Sequence, residues 1–184
     1  MAERRAEDFA ILAVDCGLSS AVAFDAIGGL RPIMQTLRVP SNAGEYGPPL
    51  AKFQRWLNDL TSAVKPKLIA FEAPLVLGGR DGAPVVTNLD TSRLLFGFAA
   101  VVEIVAHDHG VPTVEVNVQT IKKSFAGHGF AKKEQMVARC AELGWEAKDH
   151  HQADAAGIWH HVKSQLFPTW ATTATSLFAK RRAS

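Results

Sequence analysis

Apolar positions follow two rhythms along this chain, short unbroken runs and recurrences every three or four residues, and the rhythms alternate. The run Ile11-Leu-Ala-Val14 ends on Asp15, and Leu68-Ile-Ala-Phe71 ends on Glu72. An unbroken apolar run keeps no polar face for solvent, so each predicts a strand covered on both sides. Residues 9–15, 19–26 and 31–39 are three such extended segments joined by short Gly and Pro breaks, which predicts an antiparallel meander. Residues 41–49, rich in Gly and Pro, predict a loop. Helical spacing then appears at Leu50, Phe53, Trp56, Leu57 and Leu60, and Pro66 ends it.

Beyond residue 50 strand and helix patterns alternate, which predicts parallel βα units. A strand over 67–71 precedes a loop at 75–90 containing Gly78-Gly-Arg80-Asp-Gly82. A long apolar helix over 91–109 follows, then a strand over 111–116. Residues 119–135 place four lysines and the glycines of Gly127-His-Gly129 around one short loop. Helices over 133–143 and 149–162 complete the pattern. The expected fold is α/β, with a three-strand meander and parallel βα units in one mixed sheet. The expected domain covers 9–163, with a flexible segment at 1–8 and a tail at 164–184.

Composition adds little to this picture. The 184 residues are 47% hydrophobic and 21% charged, ordinary for a soluble globular domain. Net charge is +2 and the pI about 8.6, so charge alone does not announce a nucleic-acid partner. Cys16 and Cys140 match no metal spacing or disulfide framework, which suggests a reduced, cytoplasmic setting. No apolar stretch reaches the roughly 18 residues of a membrane span.

The chemistry lies where core elements meet carboxylates. Asp15 and Glu72 each end a buried strand and Asp154 lies in the last helix, so all three face one edge of the expected sheet. Magnesium prefers hard oxygen ligands, and two ions about 3.5–4 Å apart can bind both the attacking and leaving oxygens of a phosphodiester. His151 lies one helical turn before Asp154 and shares its face. Asp149 and His150 stand where either could cap that helix or contact metal-bound water. Asp149 reads most simply as the cap. His160 and His161 read as surface or packing residues. No histidine pair has zinc spacing. Lys122, Lys123, Lys132 and Lys133 flank glycines that let backbone N–H groups approach phosphate, and Arg80 and Arg93 border the segment after Glu72.

In this order the segments Ile11–Gly17, Leu68–Glu72, Ile121–Gln135 and His151–Ala155 resemble the RuvC family of Holliday-junction resolvases, within the RNase H-like superfamily. The short RuvC-like proteins of phages look closest. The resemblance implies a five-stranded mixed sheet flanked by helices, a homodimer, and two Mg2+ ions per site, with Mn2+ as an alternative. It implies cleavage of DNA at four-way junctions, with Asp15, Glu72 and Asp154 as metal ligands and His151 at the fourth catalytic position. Lys122 and Lys132 or Lys133 match its basic positions. Two departures stand out: Ser20-Ala21 replaces the usual Thr-Gly pair, and residues 73–77 lack the aromatic wedge of some members. Other readings are a non-catalytic branched-DNA-binding protein of the same fold and a broader flap or fork nuclease. A sugar-kinase or actin-like phosphate loop would need a second domain that this length does not provide.

Overall fold

The computed structural model describes residues 6–25, 29–40, 44–74 and 89–170. A 3-10 turn at Ala6–Asp8 leads into β1 (Ile11–Asp15), β2 (Ser19–Asp25) and β3 (Pro32–Arg38). Then come α1 (Gly47–Val64), β4 (Leu68–Glu72), α2 (Leu89–Asp108), β5 (Thr113–Val116), α3 (Val118–Ala126), α4 (Lys133–Glu142) and α5 (His150–Leu166). The sheet order is β3-β2-β1-β4-β5. β1, β2 and β3 pair antiparallel, whereas β4 runs parallel to β1 and to β5. The expected mixed sheet is therefore present, meander included.

The two central runs are apolar throughout because the sheet is covered on both faces. Ile11 and Ala13 point into a core with α3, α4 and α5, while Leu12 and Val14 point into a second core with α1 and α2. All four side chains are fully buried. Residue-by-residue alternation thus sends each strand into two cores at once. α5 crosses β1 and β2, which fixes its first turn against the sheet.

Two local expectations are corrected. The expected loop at 41–49 gives way to helix at Gly47, with Pro48 and Pro49 in the first turn of α1. Proline is tolerated there because the first helical N–H groups need no intrahelical acceptor. The segment from 119 also holds a helix, ahead of its short loop, that the sequence pattern did not predict. Residues 118–126 form α3, anchored by buried Ile121 and Phe125 and capped by Asn117, whose side chain accepts from Gln119 N at 2.8 Å. The loop shrinks to residues 127–132.

At the Ser20-Ala21 departure β2 continues unbroken, and Ala21 pairs with Asp15. Ser20 Oγ donates to Gly17 O at 2.6 Å and accepts from Gly17 N at 3.1 Å, closing the β1–β2 turn with a side chain. Past residue 163, α5 continues to Leu166 and Trp170 is buried, donating its indole N–H to Gly29 O at 3.0 Å. Residues 75–88, with Arg80, and residues 171–184 lie outside the described residues.

Candidate active site

The sheet register builds the first half of the site. Val14 pairs with Phe71 in the parallel ladder, so Asp15 and Glu72 are the next step, side by side at the ends of neighbouring strands. They line a small cleft of about 100 Å³ with Cys16, Ala73, Pro74 and Leu95. Asp154 reaches the same edge from the second turn of α5, and its charge is felt by Glu72. The three carboxylates named from the sequence are therefore electrostatic neighbours.

Their proximity is costly. Burial pushes Glu72 up to about 7, and the charges of Asp15 and Asp154 add to this, while Lys122 opposes it. Burial and the charge of Asp15 raise Asp154 to about 6, again eased by Lys122, His151 and Lys133. Burial likewise raises Asp15, against the hydrogen bond it accepts from His151. Three carboxylates this close cannot all ionise near neutral pH without positive charge among them.

His151 is engaged directly. Its Nδ1 lies 3.0 Å from Asp15 Oδ2, and this bond is the main reason its own pKa rises. His150, the first residue of α5, lies against His151 with ring centroids 4.1 Å apart and the planes tilted by 38°. Its Nε2 accepts from Lys133 Nζ at 3.1 Å, and burial, followed by the charges of His151 and Lys133, lowers its pKa. Asp149 is the cap of α5: Oδ1 accepts from Gln152 N at 2.9 Å and Oδ2 faces Thr36 Oγ1 at 3.4 Å. The cap position read from the sequence is thus the one it occupies. His160 packs between Phe125 and Trp145 at 5.4 and 5.9 Å, and burial lowers it to about 4.

The basic candidates divide. Lys122 on α3 and Lys133 on α4 act on the carboxylates. Lys123 and Lys132 are exposed on the same helix and loop. Arg93, on α2, holds its guanidinium 5.4 Å from the centre of the Tyr46 ring. The His150–Lys133 bond escaped the sequence reading. Its signal was a histidine directly before the candidate His151, but only the packing of α4 on α5 pairs it with a residue 17 positions away.

The donor set suits a hard divalent cation. Its members are oxygen atoms sharing one negative, half-buried edge, where protonation already competes with shared ionisation. Among the described residues no three His, Cys, Asp or Glu side chains converge as a preformed metal cluster. The Cys16 thiol is pushed well above its ordinary pKa by burial and by Asp15 and Glu72, so it stays protonated and is a poor ligand.

No family model matches the sequence, and no curated protein matches it. Three-dimensional similarity is extensive. Thermus thermophilus RuvC in complex with a Holliday junction substrate is 18% identical, with a TM-score of 0.67 over 90% of this chain and 97% of that one. A second Thermus thermophilus RuvC structure is 18% identical, with a TM-score of 0.61 over 88% and 96%. The yeast mitochondrial Holliday junction resolvase Ydc2 is 14% identical, with a TM-score of 0.55 over 91% and 83%. This chain shares the fold of these RuvC and Ydc2 structures, a five-stranded mixed sheet with flanking helices.

Proposed function

We propose that this protein is a metal-dependent endonuclease that hydrolyses DNA phosphodiesters at four-way junctions and works as a homodimer. The observation that carries this reading is that Asp15, Glu72 and Asp154, from three elements, lie near enough for their charges to raise one another's pKa, with Lys122 and Lys133 opposing, within a fold shared with resolvases. Asp15, Glu72 and Asp154 would hold the divalent cations, magnesium or manganese, which when bound supply Lewis-acid activation of water and neutralise charge on phosphate. His151 holds Asp15 in place through Nδ1, which leaves Nε2 of the neutral ring as the atom able to take a proton. Lys122 and Lys133 meet the growing negative charge on the phosphorane. His150 accepts from Lys133 and so orients that ammonium.

The homodimer rests on α2. Leu89, Phe96 and Ile104 are exposed large apolar side chains on that helix. At 100° per residue they fall in one stripe with exposed Ala100, a face suited to a second copy. The test is cleavage of a labelled immobile four-way junction beside matched duplex and flap, with magnesium, with manganese and with chelator. Metal-dependent cutting confined chiefly to the junction supports a resolvase. Binding without cutting supports the non-catalytic reading, and equal cutting of all branched forms supports a broader nuclease.

A further inference from the structure

Phe130 is 78% exposed, more than any other large apolar side chain among the described residues. It stands at the tip of the turn between α3 and α4, with Lys122 and Lys123 before it and Lys132 and Lys133 after it. The turn is anchored on both sides. Gly127 takes a left-handed φ of 91° and donates its N–H to Lys123 O at 3.1 Å, ending α3. Gly129 is held so close to the start of α3 that a Cβ there would lie 3.3 Å from Gln119 O. Ala131, buried, donates to His128 O at 3.2 Å, and Lys132 N donates to the Gln135 side chain at 2.8 Å, opening α4. A fixed backbone thus carries one phenyl ring into solvent between two pairs of cations.

An apolar ring held rigidly among lysines suits neither a folding core nor an apolar protein partner, for which the α2 stripe is the better surface. Aromatic faces set in a positive groove are how proteins hold single nucleobases, because the ring stacks while the cations take the phosphates. We infer that Phe130 is a stacking platform for an unpaired nucleobase at the branch point of the DNA held by the neighbouring lysines. This rests on the nuclease reading and deepens it by naming a residue that separates branched from fully paired substrate. Stacking needs an exposed base face, which a continuous duplex does not offer.

The test uses the full-length protein with a four-way junction and a matched duplex, each carrying a fluorescent adenine analogue at the branch position or its duplex equivalent. Phe130→Ala should weaken junction binding about 5- to 150-fold, the range set by losing one stacked base. Duplex binding should change far less, and the loss should appear in Kd and KM more than in kcat. The fluorescence change at the branch should vanish in Phe130→Ala and return in Phe130→Trp. An unchanged melting temperature shows that the exposed ring was not structural. Junction binding by Phe130→Ala equal to wild type overturns the inference while leaving the nuclease reading intact. A wild type that neither binds nor cuts branched DNA overturns both.

Discussion

His151 donates its Nδ1 hydrogen to Asp15 Oδ2 across 3.0 Å, tying the first turn of α5 to the end of β1. The bond favours the ionised form of a carboxylate whose pKa burial raises. Removing it in His151→Ala pushes the pKa of Asp15 higher still, so the site assembles its negative charge only at higher pH. Cleavage should fall about 100-fold, the lower end of what proton-transfer groups contribute, and the acid limb of the rate profile should move to higher pH. A full pH profile of kcat for wild type and variant checks this. An unmoved acid limb contradicts it.

The raised carboxylates also govern stability. Glu72 rises from an ordinary 4.5 to about 7 and Asp154 from 3.8 to about 6. Their folded pKa values exceed their unfolded ones, so the native state holds extra protons. Their contribution is complete below the ordinary values and is lost as pH rises through 6 to 7. In metal-free protein Glu72→Gln should therefore stabilise at about pH 8, on the order of 1–3 kcal/mol, and little at about pH 4. Thermal melts of wild type and variant at both pH values measure the difference. Magnesium should raise the wild-type melting temperature at the higher pH and do less for Glu72→Gln.

At the opposite end of β1 a second polar group is built into the core. Asp25 forms a buried ion pair with Lys163 and accepts from Ile11 N at 2.8 Å and Trp159 Nε1 at 3.0 Å. Burial lowers Lys163 to about 8. Asp25→Ala strands that ammonium and two N–H donors, and should cost about 3–5 kcal/mol. Urea unfolding measures the loss. Activity per folded molecule should survive, because Asp25 and Asp15 sit at opposite ends of the β1–β2 pair.

The four lysines should separate in two assays. Lys122→Ala and Lys133→Ala should lower kcat, since these side chains act on the carboxylates. Lys123→Ala and Lys132→Ala should weaken binding across sequences and lower the salt slope by about 1 each, as phosphate contacts do. Cleavage rates and salt titrations of binding distinguish the pairs.

Charge on the α2 stripe should divide the dimer. Phe96→Glu and Ile104→Glu place carboxylates on exposed positions, so each chain should fold and sediment as a monomer. Paired nicks in one junction should then become single nicks. A dimer that persists in both variants rules out this face.

Most of the sheet was legible because β1 and β4 are apolar on both faces and end on a carboxylate. Asp154 and His151 were legible as one face through their spacing of three. The start of α1 was hidden because Pro48 and Pro49 read as breakers although a first turn accommodates them. α3 was hidden because only Ile121 and Phe125 are buried in its nine residues, and the neighbouring glycines suggested a loop. The Asp25–Lys163 pair, 138 residues apart, leaves no local trace. The pairing of His150 with Lys133 is equally hidden, because it exists only where α4 packs on α5.

The most direct measurement labels both pairs of opposed strands of an immobile junction and maps the nicks made by wild type and by Asp15→Asn, with magnesium and with chelator. A metal-dependent resolvase makes paired, symmetric nicks in opposed strands with magnesium alone, and Asp15→Asn binds the junction without cutting it. Nicks that persist in Asp15→Asn or in chelator would contradict the carboxylate site, and junction binding by wild type with no nick in any metal would contradict catalysis altogether.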